Sequence, residues 1–121
     1  MQQAFADTGT IRGWHAHIYY DAATKPDAER LREAIGAGFE VQLGRWHDEP
    51  VGPHPISMYQ VAFEVSEFPR LVPWLALNRG KLTVLIHPQA VNAYDDHTAH
   101  AMWLGTRLPL RLDVLRRTSA G

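Results

Sequence analysis

The residues of this chain best suited to chemistry are its histidines, seven in 121 residues. Two of them stand one residue apart in the stretch Trp14 to Asp21, W-H-A-H-I-Y-Y-D. In a β-strand successive side chains point to opposite faces, so His15, His17 and Tyr19 project from one side and Trp14, Ala16, Ile18 and Tyr20 from the other. Imidazole is the commonest side-chain metal ligand and a frequent acid or base near neutral pH. Two of them on one strand face, roughly 6 to 7 Å apart at Cβ, can share one ion. The chain has no cysteine, which excludes thiolate ligands, and neutral imidazoles suit Fe(II), Zn(II), Mn(II) or Cu(II). A bare H-x-H is equally compatible with two exposed or hydrogen-bonded histidines, so the placement of the others decides.

The elements that must position them follow from periodicity and punctuation. Ile11 to Tyr20 reads as a first strand, after a small, polar and flexible tail over residues 1–10. Pro26 to Gly38 carries Ala28, Leu31, Ala34 and Ile35 at helical spacing, with Asp27 and Glu29 near the positive end and Gly36 and Gly38 at the stop. Phe39 to Trp46 alternates as a half-buried second strand. His47 to Ile56, H-D-E-P-V-G-P-H-P-I, is a proline-rich loop that presents Trp46, His47 and His54. Ser57 to Val65 is a third strand. Ser66 is placed to cap a second helix whose apolar side is Phe68, Leu71, Val72, Trp74 and Leu75. Lys81 to His87 is a fourth strand. From Gln89 to Thr106 the pattern is mostly loop, with one helical turn at Ala101 to Leu104, and Leu110 to Leu115 reads as a short closing strand.

Strand, helix, strand, strand, helix, strand is the ferredoxin-like order, an α+β sandwich with a four-stranded antiparallel sheet and both helices on one face. The expected whole is one domain over residues 11–121 with a C-terminal extension. With the first and third strands read as central and parallel, His15, His17, His47, His54 and His87 fall at one end of the sheet. With Trp14, Ala16, Ile18, Leu82, Val84 and Ile86 facing the helices, His15, His17 and His87 lie on the open face. His15, His17, His54 and His87 are thus the expected metal ligands, and His97 and His15 the expected acid-base residues. Asp48, Glu49 and Asp96 are the carboxylates able to complete a set of two histidines and one carboxylate. Arg45 and Arg107 can pair a substrate carboxylate, and Trp46 and Tyr59 flank the histidine loop as aromatic contacts. Val61, Phe63 and Leu85 on the open face need a cover, either the C-terminal segment or a second copy in a barrel-like homodimer.

Composition closes off other classes. The formal charge is -1, with 12 basic and 13 acidic residues intermixed, which leaves no electrostatic footprint for nucleic acid or an anionic membrane. No leader-like segment opens the chain and no apolar run has the length of a membrane span, so the expected location is cytoplasmic.

Four stretches in order, W-H-A-H-I-Y-Y-D, Arg45 to Pro55 (R-W-H-D-E-P-V-G-P-H-P), Val84 to Pro88 (V-L-I-H-P) and Asp96 to Gly105 (D-H-T-A-H-A-M-W-L-G), resemble those of the DOPA 4,5-dioxygenase family. That resemblance implies a ferredoxin-like fold, a divalent metal, Fe(II) first, and O2-dependent extradiol opening of a catechol ring. His15 and His17 match its H-x-H, His54 its G-P-H-P, His87 its H-P and His97 its D-H-T, while His47 and His100 fall outside the pattern. The competing reading is a non-catalytic dimeric ferredoxin-like module that binds metal or a small aromatic ligand.

Overall fold

A computed structural model describes residues 4–120, with the side chains of 117–120 and all of residues 1–3 and 121 outside the description. Part of the expected N-terminal tail therefore lies outside the described residues. Thr8–Thr10 forms a single 3-10 turn in which the Asp7 carboxylate accepts from the Gly9 N–H.

Among the described residues five antiparallel strands make one sheet in the order β2-β3-β1-β4-β5. They are β1 (Gly13–Tyr19), β2 (Gln42–Leu43), β3 (Met58–Phe63), β4 (Thr83–Gln89) and β5 (Met102–Leu104). The histidine-bearing β1 is central. It pairs with β3 through Trp14 to Phe63 and Tyr19 to Met58, and with β4 through His15 to His87 and Tyr19 to Thr83. β1 and β3 are thus antiparallel, which corrects the expectation of a parallel central pair. His15 lies toward one end of the sheet and the start of β3 lies at the other.

The long helices are α1 (Lys25–Gly38) and α2 (Phe68–Asn78). Asp21 and Thr24 bond each other's N–H groups just ahead of α1, and Pro26 fits its first turn, where the missing N–H costs nothing. Ala28, Leu31 and Ile35 of α1, with Leu71 and Leu75 of α2, bury against Ala16, Ile18, Val61, Val84 and Ile86. Each fully buried Leu or Ile contributes about 1.5–3 kcal/mol of transfer free energy. Both helices therefore cover one face of the sheet. Val61 and Phe63 belong to this helix-side core rather than to the open face, because antiparallel pairing sets Val61 opposite Ala16. Ser66 does not cap α2; it lies within a 3-10 turn, Val65–Glu67. The Glu67 carboxylate instead accepts from the Glu40 N–H and from Arg70.

The last third departs most from expectation. It forms α3 (Ala93–His97), β5 along β4, and α4 (Leu112–Ala120), so the helical turn expected at Ala101 to Leu104 is a strand and the closing strand expected from Leu110 is largely helix. Asn92 starts α3 by accepting from the Asp95 N–H, the N-cap role its short amide favours. β5 and the residues on either side of it cover the second face, where Ala101, Trp103, Leu108 and Leu110 pack on Tyr19, Met58 and Leu85. The C-terminal segment is thus a cover for Leu85. Among the described residues no helix is long and apolar enough to cross a membrane.

Candidate metal and substrate site

On the face away from the long helices, five histidines from four segments share one pocket. β1 supplies His15 and His17, β4 supplies His87, the loop between β2 and β3 supplies His54, and α3 supplies His97. Strand pairing sets His87 directly beside His15. The Nε2 atoms of His17 and His87 are 3.1 Å apart, a separation that two nitrogens each about 2.1 Å from one ion can have. Ring centres lie 4.2 Å apart for His17 and His54, and 3.9 Å for His87 and His97. Two triads can each bring ligand atoms within 4.8 Å of one another, His15 with His17 and His87, and His17 with His54 and His97. His17 belongs to both.

The gathering has a different cause from the one expected. His54 reaches the cluster because its loop folds back across the sheet face, tied by the Arg111 N–H donating to the Pro53 carbonyl at 2.8 Å. His47 stays at the far end in a bridge with Met58, and His97 takes its place in the group of five.

Hydrogen bonds orient the rings. His87 Nδ1 lies 3.0 Å from the Pro88 carbonyl and His97 Nδ1 lies 2.7 Å from the Ala93 carbonyl. A carbonyl only accepts, so in both rings Nδ1 carries the proton and Nε2 keeps its lone pair, the arrangement that suits a ligand or a base. Burial, followed by the neighbouring imidazoles, lowers His54 to about 4. The same causes bring His87 to about 3 and His17 well below the ordinary value. His15 is lowered by burial and by His97, with Asp96 opposing; His97 is lowered by burial, with the Ala93 bond and Asp96 opposing. The rings are consequently neutral near pH 7, as metal ligation requires. Among the described residues His17 Nδ1 is a buried polar atom with no hydrogen-bond partner, which leaves Nε2 as the nitrogen this ring turns to its neighbours. This donor set fits a divalent ion.

The carboxylates stand aside. Asp48 is bound to Tyr20 and Lys25, and Glu49 is exposed. Asp96 is buried and accepts from the Ala90 N–H, with its other oxygen 3.8 Å from His100. Neither ligand triad includes it.

Of the expected substrate contacts, only Arg107 reaches the neighbourhood. It lines a cavity of about 360 Å3 with His97, Thr98, Trp103, Leu108 and Leu110. Tyr59 and Trp46 are on the helix side of the sheet, which corrects their expected place. The Tyr59 hydroxyl donates to the Ala28 carbonyl at 3.0 Å, and Trp46 packs edge-on against Tyr59 and Tyr20. The antiparallel register sets Tyr59 opposite Ile18, an inward residue, and so turns it from the histidines. Arg45 is exposed after β2, away from this cavity's lining. A cleft of about 500 Å3 at the Gly13 end of the sheet is lined by Arg12, Glu40, Gln42 and Glu67 among others and contains no histidine.

Two residues were missed. The Tyr19 hydroxyl is 2.6 Å from His54 Nδ1, and its ring stacks on Trp103 at 5.9 Å. Its alternation with His15 and His17 was a signal already present in the strand. Trp103 lies in the stretch D-H-T-A-H-A-M-W-L-G and reads from sequence as a core or interface residue; the strand that positions it is three residues long, too short for alternation to show its face.

A protein of 21.2 kDa from Botryotinia fuckeliana, of uncharacterized role, is 37% identical over 92% of this chain and 67% of its own length. A DOPA 4,5-dioxygenase from Amanita muscaria is 35% identical over 84% of this chain. The alignment spans about half, 49%, of that relative's length. The crystal structure of a Nostoc punctiforme protein provisionally assigned as a dioxygenase superposes with a TM-score of 0.94 at 52% identity, covering 95% of this chain and all of that one. The Dopa 4,5-dioxygenase family model matches residues 14–114, and the chain belongs to that family.

Proposed function

We propose that this protein is a metal-dependent extradiol dioxygenase that opens the ring of a catechol, DOPA or a related catecholic acid, with O2. The observation that carries the reading is the cluster of neutral imidazoles, one of which, His97, lines a cavity that also holds an aromatic wall, Trp103, and a cation, Arg107. In this reading His15, His17 and His87 are the principal seat of the ion, with His54 beside His17 and His97 beside His87. A divalent ion there, Fe(II) first and Zn(II), Mn(II) or Cu(II) by the same donor set, supplies open coordination positions and an electron path between catechol and O2.

The chain's own groups do the rest. The His97 Nε2 lone pair accepts a phenolic proton from the catechol. Arg107 pairs with the substrate's carboxylate, Trp103 stacks on its ring, and Leu108 and Leu110 exclude water. Both atoms of O2 enter the product and the ring carbon-carbon bond next to one hydroxyl breaks, so no outside reductant is consumed. The same proposal includes a ferredoxin-like sandwich over residues 11–121, working as a cytoplasmic homodimer.

Anaerobic loading with Fe(II), followed by a panel of catechols and then air, tests it. O2 uptake with a yellow ring-opened semialdehyde supports the enzyme. Catechol binding without O2 uptake across the panel favours the non-catalytic binding module instead.

A further inference from the structure

We infer that Tyr19 holds His54 with its proton on Nε2, so that His54 presents a hydrogen-bond donor to the histidine pocket rather than a ligand nitrogen. This rests on the metal-site reading above and divides the cluster more finely. Three of its rings have an Nδ1 hydrogen bond, and the partners differ in kind. His87 and His97 meet backbone carbonyls, at 3.0 and 2.7 Å, which accept only and so fix the proton on Nδ1. His54 alone meets a hydroxyl, Tyr19 Oη at 2.6 Å, which can either donate or accept.

Burial decides between the two. Tyr19 is 2% and His54 4% exposed, and among the described residues His54 is the one hydrogen-bond partner of the Tyr19 hydroxyl. Were Nδ1 to donate, the phenolic hydrogen would be stranded in the apolar layer of Met58, Leu85 and Trp103. An unmade buried hydrogen bond is the costlier arrangement. The hydroxyl therefore donates, Nδ1 accepts, and the His54 proton sits on Nε2. Stacking on Trp103, with ring planes 19° apart, keeps the phenol at its post. Of the two possible triads, the one free of this donor is His15, His17 and His87. His54 and His97 then flank the seat in opposite tautomers, one offering N–H and one offering a lone pair, and each can address a different oxygen of a bound catechol. Tyr19 is a positioning residue in this scheme.

The test combines long-range proton–nitrogen correlation spectra of the metal-free protein with Zn(II) titrations of wild type, His54→Gln and His17→Ala. Glutamine retains an N–H at similar reach and lacks the ring nitrogen. The expected spectrum shows His54 protonated on Nε2, opposite to His87 and His97, and Tyr19→Phe redistributes His54 alone. In the titrations His17→Ala should lose at least the roughly 10- to 100-fold that disturbing even a ligand's supporting hydrogen bond costs, whereas His54→Gln stays within a few-fold of wild type. A wild-type His54 protonated on Nδ1, or a His54→Gln loss equal to that of His17→Ala, overturns the inference. If wild type takes up no zinc, or His17→Ala binds as wild type does, the metal-site reading fails instead, and the tautomer spectrum alone judges Tyr19 and His54.

Discussion

An imidazole can ligate only when it is neutral and the nitrogen facing the ion keeps its lone pair, and this pocket meets both conditions by ordinary means. Crowding and burial make protonation unfavourable, and backbone carbonyls at Pro88 and Ala93 choose the nitrogen. Replacing His17 or His87 by alanine should abolish metal retention, because each removes a member of the 3.1 Å nitrogen pair. His97→Ala should keep the metal and lose turnover by about 100- to 10,000-fold, the usual value of a positioned acid-base group. Metal analysis beside O2 uptake reads both effects, and a full complement of metal in purified His17→Ala would exclude that residue from the seat. Arg107→Ala should raise KM for catechols bearing a carboxylate and leave KM for unsubstituted catechol nearly unchanged. An equal rise for both would mean that the guanidinium shapes the cavity without reading the acid.

At the scale of elements, the sheet sorts side chains by the parity of their position, and an error of face moves a residue out of the chemistry altogether. Tyr59 illustrates this. Opposite Ile18 in the β1–β3 register, it must face the helices, where it bonds to Ala28. Tyr59→Phe should cost about 1 kcal/mol of stability, the typical net worth of one hydrogen bond, with kcat and KM unchanged; a change in KM would return Tyr59 to the pocket. The same parity explains what was readable in advance. His15, His17 and His87, with the apolar partners Ala16, Ile18, Val84 and Ile86, follow from alternation within single strands, and α1 and α2 from their helical spacing. The register between strands is not readable in that way, and it is the pairing of Tyr59, Val61 and Phe63 with Ile18, Ala16 and Trp14 that turns them to the helix side. The stretch after Gln89 was illegible for another reason. β5 has three residues and α3 has five, too few for either period to show, and pairing with β4 and the Asn92 cap settle them. That stretch delivers Trp103 and His97.

For the whole molecule, the buried cluster makes stability depend on pH with a definite sign. In the unfolded chain a histidine titrates near 6.5, whereas in the folded metal-free protein His54 is brought to about 4 and His87 to about 3. Between those values the unfolded state binds more protons than the folded one, so stability rises with pH there. The contribution is fully present above 6.5, declines as pH falls below it, and stops declining only once the folded site itself takes up protons. Each unit of depression is worth up to about 1.4 kcal/mol per group, against a total of about 5–15 kcal/mol for a typical domain. Asp21 and Asp48 are lowered by hydrogen bonds to the Thr24 backbone and to Lys25, respectively. Their contributions also fade on acidification, but only below the ordinary carboxylate value of 3.8, later than those of the histidines. Urea midpoints of the metal-free protein should accordingly fall steadily from neutral pH toward about 4. Saturating Zn(II) should raise the midpoint at neutral pH, by the equivalent of about 2.7 kcal/mol when free metal is 100 times its Kd, and the gain should shrink on acidification as protons compete for the same nitrogens. Midpoints that stay level across this range, with or without metal, would mean that the imidazoles are not held neutral together in the folded protein, and the case for a shared ion would go with them.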